Sequence, residues 1–273
     1  MIAAILLPFL AQAASADAFD LRIPMPQPSL EQDRLAVCLD KARSDPSTAI
    51  VSASVWLGEA LDAERSFPQQ CLGMAYTRLL RWKAAEDAFL GARREALESN
   101  PALRAKLAAM AGNSALADGR NADALADLDL AAQDAAASLD ATLAGDVQID
   151  RARALVALDR TAEAAGALAD ARRDSPQNPD GWLLSATLAR RQGDLDTALG
   201  QIRTAAGLDP LDPAIGLEAG VIAALGGHDD AARKSWQSVV DTAPDSDEAQ
   251  TARGYIAQLG EAAAATGTEG TGG

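Results

Sequence analysis

Few residues in this chain could do chemistry, and their spacing narrows what that chemistry is. There is one histidine, His228, and there are two cysteines, Cys38 and Cys71. His228 lies between Gly226-Gly227 and Asp229-Asp230, with no cysteine or second histidine beside it to complete a metal site. It reads as a solvated turn residue, and the two aspartates read as the acidic start of a helix. No Ser, Cys or Lys has the spacing of an activated nucleophile, and no glycine-rich phosphate loop is present. Gly112 and Gly119 read as packing and turn glycines. No catalytic residue, no metal and no cofactor are expected.

Cys38 and Cys71 are 33 residues apart. Without a Cys-x-x-Cys pair, redox catalysis is not indicated. Two readings stay open: a structural disulfide in an oxidising compartment, or two buried thiols packing as small apolar groups.

The background composition points to helices. The 273 residues include 64 alanines, and only 4% are aromatic. Alanine excess with few β-branched or aromatic residues favours helix over sheet. The formal net charge is −15, from 39 acidic and 24 basic residues, which argues against nucleic acid as a partner because phosphate binding needs a basic surface. The charge is uneven. Residues 17–100 carry 13 acids and 10 bases, whereas residues 101–273 carry 26 acids and 14 bases. The second half should repel anionic membrane surfaces and favour a basic partner on its outer face.

The two ends differ from the middle. Residues 1–16, MIAAILLPFLAQAASA, form a short apolar run ending in Ala14-Ser15-Ala16, the pattern of a secretory signal peptide. No Lys or Arg precedes the run. The run is shorter than the ~20 residues a membrane span needs, so no stable membrane insertion is expected after cleavage. Residues 17–28, DAFDLRIPMPQP, carry Pro24, Pro26 and Pro28 without a helical period and read as an extended leader. At the far end, residues 261–273 (EAAAATGTEGTGG) have no large apolar residue to bury and read as a disordered tail.

Between these ends the chain repeats itself. Gly193, Ala198, Ile202, Ala205 and Pro210 recur 34 residues later as Gly227, Ala232, Trp236, Val239 and Pro244. Ala164, Leu168, Ala171 and Pro176 are in step 34 residues earlier. Further upstream the series continues as Ala124, Leu128 and Ala131, and as Ala85, Phe89 and Ala92 after Leu72-Gly73-Met74-Ala75-Tyr76. Each unit reads as two antiparallel helices. Small residues on the first helix (Gly73, Gly112, Ala152, Ala186, Gly220) face bulky ones on the second (Phe89, Leu128, Leu168, Ile202, Trp236). Glycines 119, 193 and 227 end the first helix, and Pro176 and Pro210 follow the second. A single pair cannot bury its apolar face, so the pairs must stack.

This pattern resembles the tetratricopeptide repeat family over residues 67–244. Ala115, Leu155, Ala189 and Ala223 stand where the best copy has Tyr76. The resemblance implies an all-α fold, a right-handed superhelical solenoid of antiparallel helix pairs. The expected organisation is a divergent pair at 29–65, repeats at about 66–100, 101–140, 145–178, 179–212 and 213–244, and a capping helix at 245–260. Ser29 to Gln32 is a capping box, Asp45-Pro46 starts the second helix, and Ser66 to Gln69 is expected to open the third in the same way. Trp56 and Leu57 are expected on a buried face.

In such an array the first helices line a concave groove that holds a protein or peptide. The positions expected there are Gln70, Met74, Arg78, Asn113, Leu116, Ile149, Arg153, Leu183, Thr187, Arg190, Arg191, Leu217 and Val221. The arginines either meet a partner's carboxylates and carbonyls or pair with neighbouring acids. The carboxylate clamp of some family members is not carried over: Asn113 fits one of its places, but no matching lysine is present. The expected role is a non-catalytic, exported scaffold, in the periplasm, serving a cell-envelope complex. Alternatives are an accessory subunit of a periplasmic enzyme and a self-associating structural array.

Overall fold

A computed structural model describes residues 29–269, with only the backbone described for 261–269. The signal peptide expected at 1–16, the leader at 17–28 and the last four residues of the tail lie outside the described residues. The described chain is helical throughout. Its elements are α1 (Leu30–Ser44), α2 (Pro46–Glu59), α3 (Ser66–Arg78), α4 (Trp82–Glu95), α5 (Pro101–Ala117), α6 (Asn121–Ser138) and α7 (Ala141–Ala157). They continue as α8 (Thr161–Asp174), α9 (Pro179–Arg191), α10 (Leu195–Leu208), α11 (Pro213–Leu225), α12 (Asp229–Thr242) and α13 (Asp247–Glu269). Each helix packs against the next in sequence, and from α5 onward the odd-numbered helices also touch one another, so the pairs stack as a solenoid.

Local sequence sets where the helices begin. Ser29 Oγ accepts the Gln32 N–H, and Gln32 Oε1 accepts the Ser29 N–H in return. Asp45, Asn100, Asp140, Asp194 and Asp212 likewise accept backbone N–H groups at the starts of α2, α5, α7, α10 and α11. Ser66 does not cap α3. A 3-10 turn over Asp62–Arg65 runs straight into that helix, so Ser66 is already helical and its amide is satisfied by the turn.

Small-to-large contacts lock each pair. A Cβ on Gly73 would fall 2.5 Å from Phe89 Cε1, and one on Gly112 would fall 2.6 Å from Leu128 Cγ. Phe89, Leu128, Leu168 and Ile202 are fully buried, each contributing roughly 1.5–3 kcal/mol. Trp56 is buried too, with Nε1 donating to Glu31 Oε2 at 2.7 Å and the Arg34 guanidinium 4.6 Å from its ring centroid. Leu57 is half-buried.

From α3 onward, the turn inside each repeat has one left-handed residue. It is Gly119 (φ 72°), Gly193 (83°) and Gly227 (76°) in three repeats, but Leu80 (56°) and Asp159 (57°) in the other two. At the N-terminal end, Cys38 of α1 and Cys71 of α3 are joined as a disulfide, with Cα atoms 5.9 Å apart. At the other end α13 runs on to Glu269, past the expected stop at Gly260 and into the stretch read as disordered. Alanine has the highest helix propensity of any residue type, so the run Ala262–Ala265 favours continuation of the helix.

Candidate functional site

The first helices of the pairs, α3, α5, α7, α9 and α11, carry the positions expected to line a groove. From α5 onward, successive first helices are tied by polar links. Asn113 Nδ2 donates to Asp150 Oδ2 at 2.7 Å, from α5 to α7. Arg153 Nη2 donates to Asp180 Oδ2 at 2.7 Å, from α7 to α9, and its Nη1 donates to Asp150 Oδ1 at 2.6 Å. Arg190 grips Glu218 through Nε at 2.6 Å and Nη2 at 3.2 Å, from α9 to α11. Two of the four groove arginines are therefore answered by acids of the chain itself. Arg78 and Arg191 are exposed and have no ion pair among the described residues.

Two hollows built in the same way lie on this face, on either side of the Asn113–Asp150 link. One, of about 180 Å³, is lined by Met74, Thr77, Trp82, Phe89, Met110 and Asn113. The other, of about 190 Å³, is lined by Arg153, Val156, Leu168, Leu184, Thr187 and Arg191. They are counterparts two repeats apart. Met74, Thr77 and Phe89 correspond to Arg153, Val156 and Leu168, and Met110 and Asn113 correspond to Leu184 and Thr187. Each has an apolar floor supplied by the bulky residue of a second helix and a rim that is part polar.

Of the remaining expected residues, Gln70 is half-buried and its Nε2 donates to Ser66 Oγ at 3.3 Å. Leu116 and Leu183 are half-buried against the core clusters of their own repeats. Leu217 and Val221 pack toward Trp236, Tyr255 and Ile256, so α13 shares the last stretch of this face. Ile149 is a correction. It is 3% exposed, its Cδ1 3.6 Å from where a Cβ on Gly181 would lie. It fills the seam between α7 and α9, while its neighbour Asp150 carries the polar links to Asn113 and Arg153.

Met110, Asp150, Leu184 and Glu218 form a row that the sequence reading missed. They recur at the repeat offsets, three residues before Asn113, Arg153, Thr187 and Val221. Extending the expected row by one helical turn at a constant offset was the signal that could have found them.

A second charged cluster lies off the groove, between α4 and α6. Glu86, 4% exposed, is ion-paired to Arg120, which also holds Asp118 at 2.8 Å and Asp123 at 2.9 Å. Beside them Asp127 is buried, and its Oδ2 has no hydrogen-bond partner. Burial, then the Glu86 and Asp123 charges, push its carboxyl up to about 6. Among the described residues, no cluster of three His, Cys, Asp or Glu side chains could hold a metal ion, and no helix is long and apolar enough to cross a membrane.

These features define an all-α solenoid with the tetratricopeptide repeat fold. Its backbone is similar to that of PilW, a type IV pilus biogenesis factor, with a TM-score of 0.66 at 18% identity over 82% of this chain and 99% of that one. It is similar to TTC0263, a tetratricopeptide repeat protein of Thermus thermophilus, with a TM-score of 0.55 at 20% identity over 71% and 98%. It is similar to YrrB, a tetratricopeptide repeat protein with an unusual peptide-binding site, with a TM-score of 0.50 at 19% identity over 74% and 97%. No protein-family model and no curated protein matches the sequence.

Proposed function

We propose that this chain is an exported, non-catalytic scaffold that holds an extended protein segment along its first-helix face, in the assembly or upkeep of a cell-envelope complex. The observation that carries this reading is the pair of equivalent hollows beside Met110 and Leu184. Each has room for one apolar side chain, and the links between helices set polar groups between them that a peptide backbone can meet. First helices of neighbouring repeats lie ~10 Å apart, so hollows two repeats apart suit apolar side chains about six residues apart in an extended segment. The segment is apolar at its anchors and polar between them. The likeness to a peptide-binding repeat protein and to a pilus biogenesis factor supports the reading, as does the apolar run ending in Ala14-Ser15-Ala16 for export.

Photocrosslinkers at Met74 and Arg153, with mass spectrometry of captured material, test it in cells. Capture of one protein from both positions is expected. Capture only from outer positions such as Gly166 and Arg203, with a silent inner face, would retire the groove.

A further inference from the structure

Arg172, on the outer helix α8, is the arginine that is neither exposed nor ion-paired among the described residues. Its counterpart two repeats earlier shows what is missing. Arg93 occupies the same position on α4, and its Nε meets Asp134 Oδ2 of α6 at 2.6 Å, with Arg104 Nε on the other carboxylate oxygen at 3.5 Å. At the position on α10 that corresponds to Asp134 stands Leu208. This pair of repeats has the cation without the counter-charge.

What surrounds Arg172 holds it without neutralising it. Its Nη1 donates to Ser185 Oγ, and its guanidinium lies 5.4 Å from the Trp182 ring centroid. Burial alone lowers its pKa, with no charge acting on it from a neighbouring acid. It lines a cleft of about 190 Å³ between α8 and α10, which adjoins the α7–α9 hollow and shares Leu168 and Leu188 with it. Ala165, Leu168 and Leu188 make the apolar part of that cleft, and Thr197 and Gln201 add neutral polar groups. Gln201 Oε1 is itself buried without a hydrogen-bond partner. The one carboxylate lining the cleft, Asp194, is committed to the Thr197 N–H at 3.1 Å. A half-desolvated guanidinium with donors to spare and no anion is an incomplete bidentate pair.

We propose that the α8–α10 cleft is a second binding site, which takes a carboxylate on an aliphatic stem, a glutamate side chain of a protein partner, with the carboxylate on Arg172 and the methylenes against Leu168 and Leu188. The apolar walls select a stem, and the acidic surface of this half of the chain (26 acids against 14 bases over residues 101–273) disfavours multiply charged phosphate. The site lies beside the α7–α9 hollow, with Leu168 and Leu188 as the wall between them.

Titration of the 15N-labelled chain with acetyl-Ala-Glu-Ala-amide tests this. The Arg172 Nε–H and Trp182 Nε1–H signals should shift saturably, and acetyl-Ala-Gln-Ala-amide should bind at least ten-fold more weakly. In Arg172→Gln the Trp182 response should vanish, and in Arg172→Lys it should weaken, with the helical spectrum unchanged in both. The proposal is overturned if the Gln peptide binds as well as the Glu peptide, or if Trp182 responds equally in Arg172→Gln. Inorganic phosphate binding as tightly would overturn the ligand class. Acetyl-Ala-Ala-Ala with a free carboxylate binding more tightly would overturn the side-chain source. Should Arg172→Gln not fold, the two amide peptides on the unsubstituted chain decide it alone.

Discussion

Gly220 and Trp236 compete for the same space: a Cβ on Gly220 of α11 would fall inside the indole of Trp236 on α12. The indole is 3% exposed, and its Nε1 donates to the Leu217 carbonyl at 3.1 Å, so it cannot swing away without losing a buried hydrogen bond. Gly220→Ala should therefore destabilise the chain by about 1–3 kcal/mol, the usual range for overpacking. Trp236→Leu should cost several kcal/mol alone, yet in the double variant the Gly220→Ala penalty should disappear. A denaturant double-mutant cycle measures this. Additive losses would mean that the two side chains do not compete.

The turn position filled by glycine in three repeats is left-handed at Leu80 and Asp159 as well. Leu80 is 68% exposed, so replacing it sacrifices little burial. Leu80→Gly should stabilise the chain by about 1 kcal/mol through relief of the left-handed penalty. Asp159→Gly should gain less, because aspartate tolerates that conformation better. Chemical denaturation of both variants checks the order, and a loss at Leu80 would contradict it.

Asp127 gives the fold a pH dependence. Its folded pKa of about 6 stands above the ordinary 3.8, so the folded state prefers the neutral acid. Its contribution is then most favourable at low pH, and it is lost as pH rises from about 4 through 6. Asp127→Asn should raise stability by roughly 1–3 kcal/mol at pH 7.5 and by little at pH 4. Unfolding curves at the two pH values test the sign. An equal effect at both would place the penalty elsewhere.

The bond between Cys38 and Cys71 spans a sequence separation of 33 residues and ties α1 to α3. Removing it with Cys38→Ser and Cys71→Ser should cost about 3–4 kcal/mol by loop entropy. Hydrogen exchange should quicken first in α1 and α2, because α1 is the helix that the bond ties to α3. Two free thiols on the unreduced protein would remove the bond from the account.

Much of the fold was legible because repetition amplifies weak signals. No single alanine identifies a helix pair, but Ala85, Ala124, Ala164, Ala198 and Ala232 in register, each followed four residues later by Phe89, Leu128, Leu168, Ile202 or Trp236, do. The site was less legible, because a first helix in a stacked array buries more than one face. Ile149 is apolar at a spacing that fits the groove, but it serves the seam to α9. The polar links were hidden for a related reason. Asp150, Asp180 and Glu218 are ordinary surface acids in sequence, and only the stacking of one repeat on the next brings them to Asn113, Arg153 and Arg190. Periodicity likewise could not carry α13 beyond Gly260, into the alanine run Ala262–Ala265.

The most direct test of the groove is the affinity of its captured segment for the chain with one hollow filled. Thr187→Arg places a long side chain over the hollow floored by Leu168 and Leu184, while Gly166→Arg puts the same charge on the outer face. A loss of at least ten-fold for Thr187→Arg, with Gly166→Arg unchanged, is the predicted result. Unchanged binding by Thr187→Arg would contradict the account.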